Sequence, residues 1–276
     1  MGVALGLLAA LLYGSGDYLG GRAAVGVDVR RVLALSNVTG AIVAITAALL
    51  VHGTHHTHDV AWGCAAGVSA ALGLGLLYRA LSVGRAGVVA PLTAVVGAGV
   101  PIVWGFLDGE RPSGVAMVGI AVAVIAAGLI GRERDENTDA PSGAAMGLAA
   151  GFVLGLGFIC YAHTSDASGL WPIAMSRSVA LLLTVAAVAV ARDKGQPLPA
   201  TNRNQALVAG VVDVSATVAL LFGLRSELAV LVAAVVALAP GFTVVLAWRL
   251  LHEKFSRVQS IGIVLALAGL VAIAAG

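Results

Sequence analysis

Leu107-Asp-Gly-Glu110-Arg-Pro-Ser113 returns later in the chain as Leu250-Leu-His-Glu253-Lys-Phe-Ser256. Each copy follows an apolar run with an internal proline. Each precedes a last run rich in Gly, Ala, Val, Leu and Ile. The two glutamates stand 143 residues apart, about half of the 276-residue chain. This spacing reads as a duplication, and each copy has room for five apolar spans. An odd number of spans per copy sends the two copies through a bilayer in opposite directions. Inverted repeats of this kind place a substrate site where the repeats meet.

Composition supports a bilayer as the solvent. Hydrophobic residues make up 59% of the chain and charged residues 11%, against about 25% charged in an ordinary soluble domain. A helical span needs roughly 20 apolar residues. Ten runs qualify: 2–21, 32–51, 60–80, 86–107, 113–131, 142–163, 171–191, 205–224, 228–249 and 258–275. They are continuously apolar, without the alternation of a membrane strand, and a helix pairs its own backbone groups within one segment. The expected fold is therefore an all-α integral membrane protein, with ten transmembrane helices as two inverted five-helix repeats. The first repeat is 1–131, a polar linker is 132–141, and the second repeat is 142–276. The first run has no Lys or Arg before it, so residues 2–21 read as a retained span rather than a cleaved signal. The 36 glycines suit close helix contact. Cys64 and Cys160 lie inside apolar runs and read as buried thiols. A net charge of +2, scattered along the chain, excludes nucleic-acid binding as a function.

Further internal matches share the register. Gly14-Ser-Gly16 aligns with Gly155-Leu-Gly157, and Leu76-Leu-Tyr78 with Leu220-Leu-Phe222. Tyr78-Arg-Ala-Leu-Ser82 followed by Val88-Val-Ala-Pro91 resembles spans three and four of the EamA branch of the drug/metabolite transporter superfamily. Pro240-Gly-Phe-Thr-Val-Val-Leu-Ala-Trp248 leading to Glu253 resembles the end of that family's second repeat. Gly14-Ser-Gly-Asp17-Tyr-Leu-Gly20 resembles a variant of its first span. The resemblance runs in order over essentially the whole chain. It implies ten helices around a central cavity and export or exchange of small metabolites by alternating access in the cell membrane. It does not name a substrate.

Asp213 lies mid-span in an otherwise apolar run, where a charge costs at least about 2.5–3.5 kcal/mol on insertion scales. It must face the bundle interior, as a cavity carboxylate or as half of a structural pair with arginine. Asp17 is similar but nearer a span end, where a local pair with Arg22 is the competing reading. Arg177 and Arg79 are candidate cavity cations, against a snorkelling role at the interface. Tyr78 joins them as a binding candidate. Pro91, Pro101 and Pro240 fall in spans four and nine and are candidate cavity walls or gates, because proline breaks are tolerated where they line a cavity. Glu110 and Glu253 read as turn chemistry, each followed by a serine placed to cap the next helix. Trp62, Trp104, Trp171 and Trp248 sit near span ends and read as interface anchors.

His52, His55, His56 and His58 form the one histidine cluster, a weak candidate metal site in a solvated loop. No cofactor is expected. A metal-ion transporter would need ligands within the membrane, and no histidine lies deep in a span. A membrane-embedded enzyme would need a convergent nucleophile and base, and a sensor would need room for an output domain. Neither is expected. The favoured reading is a secondary transporter, a multi-pass protein of the plasma membrane. Its expected partners are a small-molecule substrate, a coupling proton or ion, and the lipid bilayer. Orientation sets two arguments against each other. The family resemblance puts both termini in the cytoplasm. The basic loops put the 132–139 linker there instead, and the charge bias makes that the favoured side.

Overall fold

Asp28 starts the second helix by accepting a hydrogen bond from the Arg30 amide at 2.9 Å. A carboxylate in this position satisfies one of the free amides of a first turn. The helix therefore opens at Val29, three residues before the apolar run suggests. The computed structural model describes residues 1–51, 53–54, 56–83, 86–130, 143–191, 197–239, 242, 246 and 257–275. Among these, the regular structure is helical, with no strand. The α-helices are α1 (Gly2–Ala23), α2 (Val29–Leu50), α3 (Thr57–Val83), α4 (Ala86–Leu107), α5 (Gly114–Ile130), α6 (Ala144–Ala162), α7 (Trp171–Val190), α8 (Ala200–Ser226), α9 (Ala229–Val236) and α10 (Arg257–Ala275). A short 3-10 turn, Asp166–Ser168, joins α6 to α7.

Among the described residues, six helices, α1, α2, α3, α6, α7 and α8, are long and apolar enough to cross a membrane. Shorter apolar stretches occur at Leu92–Leu107, Gly114–Ala126 and Ser260–Ile273. The chain is an integral multi-pass membrane protein. Helix α8 begins five residues before its apolar run. The Asn202 side-chain amide explains this: it donates to the Ala23 carbonyl at 3.0 Å and holds the polar first turn against the end of α1.

The packing pairs helices across the two halves of the chain. Helix α1 lies on α8 and α3 on α6; α4 lies on α6 and α9 on α1; α2 lies on both α7 and α8, and α3 on α7; α5 lies on α10. Small residues allow the closest approaches. A Cβ at Gly210 would meet the Ser36 carbonyl oxygen at 2.1 Å, so α2 and α8 touch backbone to backbone. Gly119 and Gly269 do the same for α5 and α10. Packing of this kind supplies association in lipid, where apolar area alone cannot.

Pro101 is buried within α4, and the helix continues through it. Pro91 is also on α4, but its side chain lies outside the described residues, as do Pro240, Trp248, Glu253, His52, His55 and the 132–141 linker. Cys64 and Cys160 are free thiols.

Candidate functional site

Most polar side chains buried in this bundle sit on α2, α7 and α8 or at the helix ends. Asp213 and Arg177 are 6% and 5% exposed, and they form an ion pair between α8 and α7. Arg177 does not reach the interface, so the snorkelling reading does not describe it. Its Nη2 also donates to Thr217 Oγ1 at 2.6 Å, and Tyr13 Oη on α1 donates to the same oxygen at 3.2 Å. The Thr217 hydroxyl donates in turn to the Asp213 carbonyl at 2.9 Å. Thr217 thus uses its one donor and both acceptor positions. Arg177 Nε is buried without a hydrogen-bond partner among the described residues, so one charged donor is left over.

The helical repeat brings these groups together. Tyr13 and Asp17 are four residues apart on one face of α1, and Asp213 and Thr217 are four apart on one face of α8. Gly16 lies where the faces meet: a Cβ there would sit 3.7 Å from the Asp213 amide nitrogen, in ordinary van der Waals contact. Gly40 of α2 approaches the Arg177 side chain in the same way. Farther along α7, Thr184 Oγ1 accepts from the Asn37 amide at 3.5 Å. Phe158 of α6 stacks on Tyr13 with centroids 6.1 Å apart.

Asp17 is half-buried and close enough to Asp213 for the two charges to act on each other. No ion pair joins it to Arg22 among the described residues. Tyr78 is 1% exposed, packed against Gly20 of α1 and within electrostatic range of both Asp17 and Asp213. Arg79, the next residue, is exposed. The sequence reading missed Tyr13, Thr217, Asn37 and Thr184. The available signal was their spacing: Tyr13 and Thr217 each lie one turn from an aspartate already singled out.

The end of the bundle that carries the N-terminus is tied across the halves. Asp59 in the first turn of α3 is 3% exposed and accepts from the Ser165 amide at 2.9 Å and its hydroxyl at 2.6 Å. Arg225 at the end of α8 donates to the carbonyls of Gly169 (2.9 Å) and Ser165 (2.6 Å) and to Ser168 Oγ (3.0 Å). The Thr54 amide donates to the Ala167 carbonyl at 2.7 Å. Trp62, His163 and Trp104 pack ring against ring beside this loop. Glu110 is also at this end. Its two carboxylate oxygens accept from the Ala229 and Val230 amides at 3.0 and 2.9 Å, capping α9 of the other half. Ser113 caps α5 through the Ala116 amide at 3.1 Å. His56 and His58 are exposed; among the described residues no group of three His, Cys, Asp or Glu side chains is placed to hold a metal ion.

The profile of the EamA-like transporter family matches residues 1–132 and again 141–275. A solved structure described only as a crystal structure of a protein is similar at a TM-score of 0.80 and 16% identity, over 99% of this chain and 98% of that one. No curated protein matches.

Proposed function

Because the chain belongs to the EamA-like transporter family of the drug/metabolite transporter superfamily, we propose that it is a secondary transporter that exports or exchanges a small polar or amphipathic metabolite by alternating access. It is a membrane transporter of this superfamily by membership. The substrate class, the mechanism and a plasma-membrane location are our reading. The observation that carries it is the buried network of Tyr13, Arg177, Asp213 and Thr217 at the meeting of α1, α7 and α8. Charges buried in an apolar bundle are expensive and mark substrate or ion pathways. The spare Arg177 donor and the half-buried Asp17 leave binding capacity beyond the internal pairs.

The same reading takes 1–131 and 142–276 as inverted repeats of five spans each. The double family match supports it, as does the packing. Exchanging the halves turns the α1–α8 contact into α6–α3, and α4–α6 into α9–α1. In this scheme Asp213 and Thr217 hold the site in shape, and Asp17, Tyr13 and the spare Nε of Arg177 meet the substrate or a coupling proton. Rocking of one repeat on the other exposes the site alternately.

Reconstituted protein, screened for uptake of radiolabelled metabolites with and without a proton gradient, tests the proposal. Gradient-dependent flux that falls at least tenfold in Asp17→Asn and in Thr217→Val is expected. Flux unchanged in both variants removes this network from the mechanism.

A further inference from the structure

Helix α9 begins without a cap of its own. Its N-cap residue, Leu228, has no side-chain acceptor. The Leu228 carbonyl takes the amides of Leu231 and Val232 at 3.1 and 3.2 Å, which leaves those of Ala229 and Val230. These are the two amides that the Glu110 carboxylate accepts, from the turn between α4 and α5. A charged acceptor at a helix start suits the dipole. A serine or aspartate at position 228 would cap the helix locally. Here the cap comes from the other half of the chain instead. The turn that carries Glu110 is held ready for this. Gly109 has φ +95°, a backbone that glycine adopts without strain. The Glu110 amide donates to the Gly105 carbonyl at 2.9 Å, and Arg111 Nη1 donates to the carbonyls of Phe106 and Glu110 at 3.1 and 2.9 Å. A Cβ at Gly105 would overlap Val230 and the Glu110 carboxylate, so the end of α4 and the start of α9 touch.

We infer that Glu110 is the latch of this end: its carboxylate holds the start of α9 while the two halves are closed here, and releases it when they part. The inference rests on the alternating-access reading above. Two features fit a latch better than a fixed cap. First, the pairing of the α9 amides depends on the approach of the two halves and not on the sequence around α9. Second, the released groups are a carboxylate and two amides beside the exposed turn residues Asp108 and Gly109. Water can pair all of them, so the open arrangement leaves none unsatisfied. An element with two satisfied arrangements is what a switching transition requires. Asp59 with Ser165, and Thr54 with Ala167, also cross the halves at this end, but they hold a loop. Glu110 holds the start of a helix packed on α1, α4 and α5, so its release frees an element that touches the first half along its length.

Nitroxide labels at Thr57→Cys and Ser226→Cys, both exposed positions, span the two halves at this end. They are placed in the full-length protein in bilayers, with Cys64 and Cys160 replaced by alanine. Pulsed dipolar spectroscopy without substrate then reads the ratio of open to closed populations. Glu110→Ala should raise that ratio about tenfold, through the loss of hydrogen bonds to a charged group. Glu110→Gln keeps one acceptor oxygen and should raise it less. Leu228→Asp added to Glu110→Ala gives α9 a local cap. Hydrogen exchange over 229–236 should then return to the wild-type rate while the ratio stays high. That double variant carries the test if Glu110→Ala alone does not fold. An unchanged ratio in folded Glu110→Ala overturns the latch. So does a ratio that Leu228→Asp restores, because the carboxylate would then be a structural cap only. The distance readout needs no flux. An opened end in a protein that moves no metabolite counts against the transport reading alone, and unchanged distances beside measured flux count against the latch alone.

Discussion

Asp59 and Arg203 occupy corresponding places, 144 residues apart, in the opening turns of α3 and α8. On the proposed repeat they are the same position with opposite charge. Asp59 is buried, and the 163–170 loop is bonded onto it. Arg203 is exposed and borders a groove. An acid at a helix start suits the dipole and can be buried against amides and hydroxyls; a base there gains nothing from the helix and stays at the surface. On that proposed frame, one difference in charge accompanies a closed end at one face and an open groove at the other. On the proposed alternating-access reading, such asymmetry sets which end is tied more firmly.

The largest effect is expected between the two ends and serves as a yardstick for both. Arg177→Met leaves Asp213 buried without its cation and should cost about 3–5 kcal/mol, read as a fall in thermal stability in detergent. Arg177→Met with Asp213→Leu should recover most of that loss but no transport. If the single variant is as stable as wild type, the pair is not buried as described.

Next in size is the tied end. Arg225→Ala removes four charge-assisted donations to the 163–170 loop, to Gly169, Thr164, Ser165 and Ser168, together with an ion pair to Asp166, and should cost about 3 kcal/mol, given about 1.5–3 kcal/mol for a single bond to a charged group and incomplete additivity. Hydrogen exchange in that loop should rise, with little change at 197–203. Asp59→Asn tests the comparison at its own position, with an expected loss of about 1.5–3 kcal/mol. Equal exchange rates at both ends in wild type would break the comparison outright.

Arg203→Glu should act weakly and in the other direction, stabilising by about 0.3–1 kcal/mol through the helix dipole. A large loss would mean that Arg203 holds the fold, and the contrast with Asp59 would fail. The membrane side of each end is settled by labelling. Asn137→Cys should resist an impermeant thiol reagent in intact cells, if the basic loops place the linker inside. Labelling from outside would make the tied end cytoplasmic.

The sequence by itself determined the solvent and the scale of the elements. Runs of about 20 apolar residues require membrane helices, because only a helix or a closed barrel pairs every backbone group in hydrocarbon. The recurrence of Glu110 at Glu253 is the sequence signal for the proposed duplication. It also made Asp213 an interior residue, since a mid-span carboxylate has nowhere else to go. Tertiary structure alone decided the partners. Arg177 could have snorkelled, and only the approach of α7 to α8 gives it Asp213. Glu110 could have closed its own turn, yet it caps α9, 119 residues later. Asp17 has Arg22 close by in sequence, and the fold sets it facing Asp213 instead. Helical periodicity fixes which residues share a face but carries no information about which other face will meet it. That choice rests on where small residues such as Gly119, Gly210 and Gly269 let backbones approach, a property of two helices at once.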